Sequence, residues 1–201
     1  MLLCLNSSPH SVISRKLFLL VSNSDFWSDI MVQMEELVER AKTLAEELHR
    51  TYGGCAQMTL KALQEVLGIA DLGSFKAASA LSGGVTLAGE VCGALLGAVM
   101  AIGLVLGREK LEPTSQSTNY ARAMDAGIKV FNRFKGEFGG VRCRDIHVKL
   151  FGRYYNLRDP TEWKEFIESG ARNKCSKVCG IAAKLAVETL ESIDYFGKER
   201  S

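Results

Sequence analysis

The chain has 201 residues, 47% of them hydrophobic and 24% charged, which is ordinary for a globular protein and enough for one domain with a sizeable core. A formal net charge of +2 argues against the strongly basic surface of a nucleic-acid binder or a polybasic membrane anchor. Six cysteines exceed casual usage but fall short of a disulfide-stapled miniature domain, and three prolines beside abundant alanine, leucine, glutamate and lysine favour an all-α chain.

The first thirty residues differ from the rest. Their apolar patch, 17–21, is too short for a signal-peptide core and too short to span a bilayer. Residues 1–30 therefore read as an extension, disordered or non-native, ahead of a single helical domain over 31–195, with Met31 and Met34 as alternative starts. Cys4 falls in the extension and is given no role.

From Ser28, a plausible N-cap, apolar residues recur at spacings of three and four: Met31, Met34, Leu37, Val38, Ala41, Leu44, Ala45 and Leu48. This helix should end near Tyr52, before Gly53 and Gly54. A second helix follows from "GGCAQMTL" to Gly68, and a short third one lies in "SFKAASAL". Gly83 and Gly84 break the chain before a fourth helix, whose run from Val91 to Gly107 carries no charge. "EPTSQSTN" reads as a loop. The next helix ends at Gly139-Gly140, a short piece begins at Cys143, and "DPTEWKEFIESG" has Pro160 near a helix start. The last helix is expected from about Asn173 to Tyr195. No period-two alternation, internal repeat or low-complexity tract is visible.

The 91–107 run is about the minimum for a membrane span. Glu90 closes one end, Arg108, Glu109 and Lys110 the other, and glycines at 89, 93, 97, 103 and 107 would leave bare backbone against lipid. In a globule the same glycines let helices approach closely, so the expectation is a bundle around this buried, glycine-rich helix, with no membrane span. A homodimer and a cytoplasmic location complete that expectation.

Cys55, Cys92, Cys143 and Cys175 each fall near a predicted helix start. That end of a helix carries unpaired N–H groups and partial positive charge, which favour a thiolate, the reactive and metal-binding form. One such cysteine is most simply a core residue; four placed alike favour chemistry. No C-x-x-C and no C-x-x-C-H occurs, which disfavours a thioredoxin-like dithiol and covalent haem. His10, His49 and His147 form no ligand pair, which argues against a mixed Cys/His zinc site. Four widely spaced thiolates can hold an iron–sulfur cluster or close redox-switchable disulfides. Cys179, one turn after Cys175, is a spare ligand, a resolving thiol or a packing residue. Glu90 reads as a helix-start carboxylate or a proton partner of Cys92, while Arg142 and Arg144 either stabilise the Cys143 thiolate or lie in solvent. Tyr52, Gln57 and Thr59 pack or cap near Cys55, and the Ser82-Gly83-Gly84 loop lies against the Cys92 end, where its N–H groups could bond sulfur.

These residues resemble the family of proteins assigned redox activity and named for its pattern, C-GCAxxG-C-C. Its core matches Cys92-Gly93-Ala94-Leu95-Leu96-Gly97, preceded by Gly89 and Glu90. Its other cysteines match Cys55 in "GGCAQMTL", Cys143 in "FKGEFGGVRCRD" and Cys175 in "CSKVCGIAAKLA". The resemblance runs from about Met31 to Leu190, is loosest between His147 and Lys174, and leaves Cys179 outside the pattern. It implies an all-helical protein that is redox-active through Cys55, Cys92, Cys143 and Cys175, with Gly89 and Gly93 as candidate cofactor-binding positions. Relatives similar to split-Soret cytochromes, which have a cysteine-bound iron centre, make an iron–sulfur cluster the expected cofactor. Without a haem-attachment motif no haem is expected, nor any nucleotide. The expected partner is a redox protein of unknown identity, not a nucleic acid. A metal-free thiol–disulfide protein and a structural or interaction module with buried cysteines are the competing readings.

Overall fold

The structure, a computed structural model, describes residues 23–198. Cys4 and the 17–21 patch lie outside the described residues. The chain divides into two units between Glu35 and Glu36, inside helix α1 (Asn23–Tyr52); the site and the packing that follow belong to the second.

The described residues form helices and no strand, an all-α fold. Helix α1 begins at Asn23 rather than at Ser28. No glycine or proline lies between Asn23 and Tyr52, so nothing stops the helix from extending back past the serine. Helix α2 (Cys55–Leu67) ends where expected, on left-handed Gly68. Helix α3 (Leu72–Ala77) starts earlier than the periodicity suggests, because the Asp71 side chain accepts hydrogen bonds from the Gly73 and Ser74 N–H groups. A 3-10 turn, Ala78–Leu81, continues it.

The apolar run becomes α4 (Gly93–Leu106). At 1.5 Å per residue its 14 residues span about 21 Å, against roughly 30 Å of bilayer hydrocarbon. Among the described residues no helix is long and apolar enough to cross a membrane. Helix α4 instead forms the centre of the fold, packed against α2, α5 (Thr118–Phe138) and α8 (Ala171–Ser192). Ala94, Leu95, Ala98, Ala101 and Ile102 are each at most 1% exposed, so the helix is buried on more than one face. Gly97 sets the close crossing with α2: a Cβ there would stand 2.4 Å from the Ala56 carbonyl oxygen.

Helix α6 (Cys143–Phe151) packs on α5, and α7 (Pro160–Glu168) packs on α8. Asp159 caps α7 through the Thr161 and Glu162 N–H groups, with Pro160 in the first turn. Helix α8 starts at Ala171 behind left-handed Gly170, whose carbonyl accepts from the Asn173 and Lys174 N–H groups. Asn173 is therefore inside the helix and not its cap. A short α9 (Tyr195–Lys198) ends the described chain.

Candidate functional site

Cys55, Cys92, Cys143 and Cys175 line one cavity of about 300 Å³. Three of them stand where a helix begins. Cys55 is the first residue of α2, Cys92 is the N-cap of α4 and Cys143 is the first residue of α6. Cys175 lies one turn further into its helix than its neighbours suggest, because α8 starts at Ala171. All five described cysteines are free thiols.

Two backbone devices bring them together. The first is an antiparallel bridge between Val91 and Arg142. The Cys92 N–H donates to Val141 O at 2.8 Å and the Cys143 N–H donates to Glu90 O at 2.6 Å, so the starts of α4 and α6 are fixed side by side. Arg144 locks the same junction: its guanidinium bonds the Gly89 and Ala88 carbonyls at 3.2 Å and the Glu90 carboxylate at 2.5 Å. Arg142 pairs with Asp145 at 3.2 Å. Both arginines thus hold the frame, and neither they nor Glu90 lines the cavity. The second device is a close approach. A Cβ on Gly93 would meet the Cys55 sulfur at 2.5 Å and the Leu81 carbonyl oxygen at 3.0 Å, so only glycine lets the start of α4 reach the start of α2. Gly89 sits at φ +76°, where a Cβ would strike the Tyr154 hydroxyl at 2.7 Å. Both candidate glycines therefore act on backbone approach.

The loop before Cys92 is strained. Gly83, Gly84, Val85, Thr86 and Leu87 are five successive residues at positive φ, one left-handed turn. For each of the three non-glycine residues this costs about 1–2 kcal/mol. Arg158 holds the turn in place, donating to the Thr86 carbonyl and hydroxyl, both at 3.1 Å. Of the Ser82-Gly83-Gly84 loop, Ser82 and Gly83 line the cavity and Gly84 does not; Leu87, from the end of the turn, also lines it. The Gly84 turn abuts Cys143, whose Cβ is 2.7 Å from where a Gly84 Cβ would stand.

Burial, not the helix ends, decides the state of the Cys92 and Cys143 thiols. Desolvation pushes Cys92 up to about 12, with the neighbouring Cys55 adding to it; the Ala94 and Leu95 N–H groups pull the other way and lose. Cys143 and Cys175 are also raised, first by burial and then by the other cysteines. At Cys92 and Cys143 the expectation that a helix start favours the thiolate is thus reversed. Cys179, 0% exposed, is raised by burial too; it packs behind Cys55, with its sulfur 3.9 Å from the Cys55 carbonyl oxygen, and does not line the cavity.

Two histidines that sequence reasoning set aside are at this cavity. His147 and His49 both line it, and burial lowers both to about 4. His147 Nε2 lies 3.4 Å from the Cys143 sulfur, and its Nδ1 accepts the Tyr155 N–H at 3.5 Å. Its ring stacks on Phe166 with centroids 4.6 Å apart. The available signal was the Cys143–His147 spacing of four, which puts both on one helix face. The remaining wall is largely apolar, with Leu87, Ile146, Leu157, Trp163 and Ile167, and also carries Arg172 and Ser82. Tyr52 is at the rim, 70% exposed, whereas Gln57 bonds the Phe75 carbonyl at 3.1 Å and Thr59 is buried away from the cavity.

Among the described residues, no group of three or more cysteine, histidine, aspartate or glutamate side chains is set to hold a metal ion. The donor set is nevertheless a soft, all-sulfur one of the kind that holds iron–sulfur clusters, and the four thiols face a shared volume rather than one point. Two buried polar atoms of the lining, Ser82 Oγ and His49 Nδ1, have no hydrogen-bond partner. They do not bear on an iron–sulfur cluster, which has no donors of its own; the fit rests on the four sulfur donors.

An all-helical domain that brings four cysteines from four helices to one cavity is, by class, a cysteine-centred protein. The family model described as "Putative redox-active protein (C_GCAxxG_C_C)" matches residues 54–189, and the chain belongs to that family. No curated protein and no solved structure matched it.

Proposed function

We propose that this chain is an electron-transfer protein in which Cys55, Cys92, Cys143 and Cys175 hold an iron–sulfur cluster. The carrying observation is that these four thiols, from four different helices, line one cavity of about 300 Å³. Buried thiols raised this far are poor nucleophiles for disulfide exchange, because the attacking form is the thiolate. Held by these four cysteines, an iron–sulfur cluster would supply the positive charge that makes clustered thiolates stable and the capacity to take and give one electron. The protein's own part is to fix the sulfurs. Gly93 admits Cys55, the Val91–Arg142 bridge aligns Cys92 with Cys143, and the apolar wall of Leu87, Ile146, Leu157 and Phe166 limits water. On this reading the partner is another redox protein, and the compartment is the cytoplasm, where thiols stay reduced.

The test is anaerobic purification, followed by iron and acid-labile sulfide assays and a visible spectrum. Brown protein that contains both elements, and Cys92→Ser protein that is folded but contains neither, is the expected result. Colourless protein that takes up no iron on reconstitution, with thiols that oxidise in pairs, would overturn it in favour of thiol–disulfide chemistry. Thiols inert to both treatments would leave a structural module.

A further inference from the structure

We infer that His147 is a positioning residue that donates its Nε2 hydrogen to the Cys143 sulfur and thereby sets the reduction potential of the centre. The donor role follows from the two nitrogens taken together. Nδ1 faces the Tyr155 backbone N–H at 3.5 Å, and an N–H can only donate, so Nδ1 must accept and carries no hydrogen. In a neutral imidazole the hydrogen is then on Nε2, the atom 3.4 Å from the Cys143 sulfur. The ring cannot easily turn to any other partner. It is 1% exposed, stacked on Phe166 at 4.6 Å and edge-on to Phe151 at 5.6 Å.

This rests on the proposed function and extends it. Were an external one-electron reductant such as dithionite to reduce an iron centre held by Cys143 and the other three cysteines, part of the added negative charge would fall on their sulfurs. An N–H aimed at one sulfur stabilises that reduced form more than the oxidised one and raises the potential. Arg142 and Arg144, the cations nearest to Cys143 in sequence, are engaged by Asp145 and Glu90 and do not line the cavity; Arg172 does line it, but the donor placed against this sulfur, at 3.4 Å, is His147 Nε2. No proton needs to move in the step.

The experiment compares wild type, His147→Phe and His147→Gln after anaerobic loading. Phenylalanine keeps the ring and the stack but has no N–H; glutamine keeps a donor. Equal iron content, a lower midpoint potential for His147→Phe and a value closer to wild type for His147→Gln is the expected pattern. A potential unchanged in His147→Phe overturns the inference, and so does loss of iron confined to that variant, which would make His147 a ligand. Nitrogen-15 NMR of the metal-free wild type reads the same bond independently of loading. Hydrogen on Nε2, with a resonance that moves in Cys143→Ala, supports the inference; hydrogen on Nδ1, or no movement, overturns it. A wild type that loads no iron while the NMR result holds would sink the proposed function and leave the hydrogen bond standing.

Discussion

A Cβ added to Gly93 would stand 2.5 Å from the Cys55 sulfur, so the two residues share their place only because one has no side chain. Gly93→Ala should therefore destabilise the protein by roughly 1–3 kcal/mol through overpacking and reduce iron uptake. Gly103, on the same helix, has nothing within 4 Å of its added Cβ. Gly103→Ala should be neutral or stabilising by up to about 1 kcal/mol, from helix propensity. Urea denaturation of both variants checks this. Equal effects would mean that the α2–α4 contact is loose.

Relief of strain is predicted at Val85. It holds φ 60° in the left-handed turn and is 36% exposed, so little packing depends on its side chain. Val85→Gly removes a left-handed cost of about 1–2 kcal/mol and adds unfolded-chain entropy of roughly 0.5–1 kcal/mol. A net gain of up to about 1 kcal/mol in the unfolding free energy is expected. A clear loss would show that the valine side chain anchors the turn.

The pH dependence of stability has a definite sign at His49. Burial holds it at about 4 in the folded protein, with the charged Arg172 a smaller influence in the same direction. The unfolded value is near 6.5. Between those values the unfolded chain takes up a proton that the folded chain refuses, so this contribution to stability is intact above pH 6.5 and lost as pH falls toward 4. From pH 7 to 5 the loss is on the order of 2 kcal/mol. His49→Gln should flatten that part of the profile in urea titrations at the two pH values; an unchanged slope would place the burden on other groups.

Cys179 gives a contrast within the cysteines. It is 0% exposed but does not line the cavity. Cys179→Ala should cost roughly 1 kcal/mol by leaving a small void, with iron content unchanged. A loss of iron equal to that of Cys92→Ser would make Cys179 a ligand.

Much of this was legible in the sequence, and the gaps have physical causes. Glycines 68 and 139 end their helices as expected, since a left-handed cap suits no other residue as well. The four cysteines sit at one cavity because each marks the head of a helix or the turn beyond it. The left-handed run through Val85, Thr86 and Leu87 was not legible: local preference opposes it, and Arg158, distant in sequence, holds it. Ser28 and Asn173 look like caps but lie inside their helices, because capping residues signal only where the chain can stop. The thiol chemistry of Cys92 and Cys143 was misjudged in direction, since a sequence shows the helix dipole but not the depth of burial that outweighs it. His147 was passed over for want of a second histidine, although its partner is Cys143, one turn away.

The bridge between Val91 and Arg142 joins two stretches of chain separated by the whole of α4 and α5. Helices form from neighbours in sequence within microseconds, whereas this pairing must wait for a long loop to close. Cys92 and Cys143 should therefore meet later in folding than the helices form. Thiols pulse-alkylated early in refolding should all be accessible, and Cys92 and Cys143 should become protected together, after the helices have formed. Such an order of assembly keeps the newly made chain from trapping metal or pairing its sulfurs before the scaffold that spaces them exists.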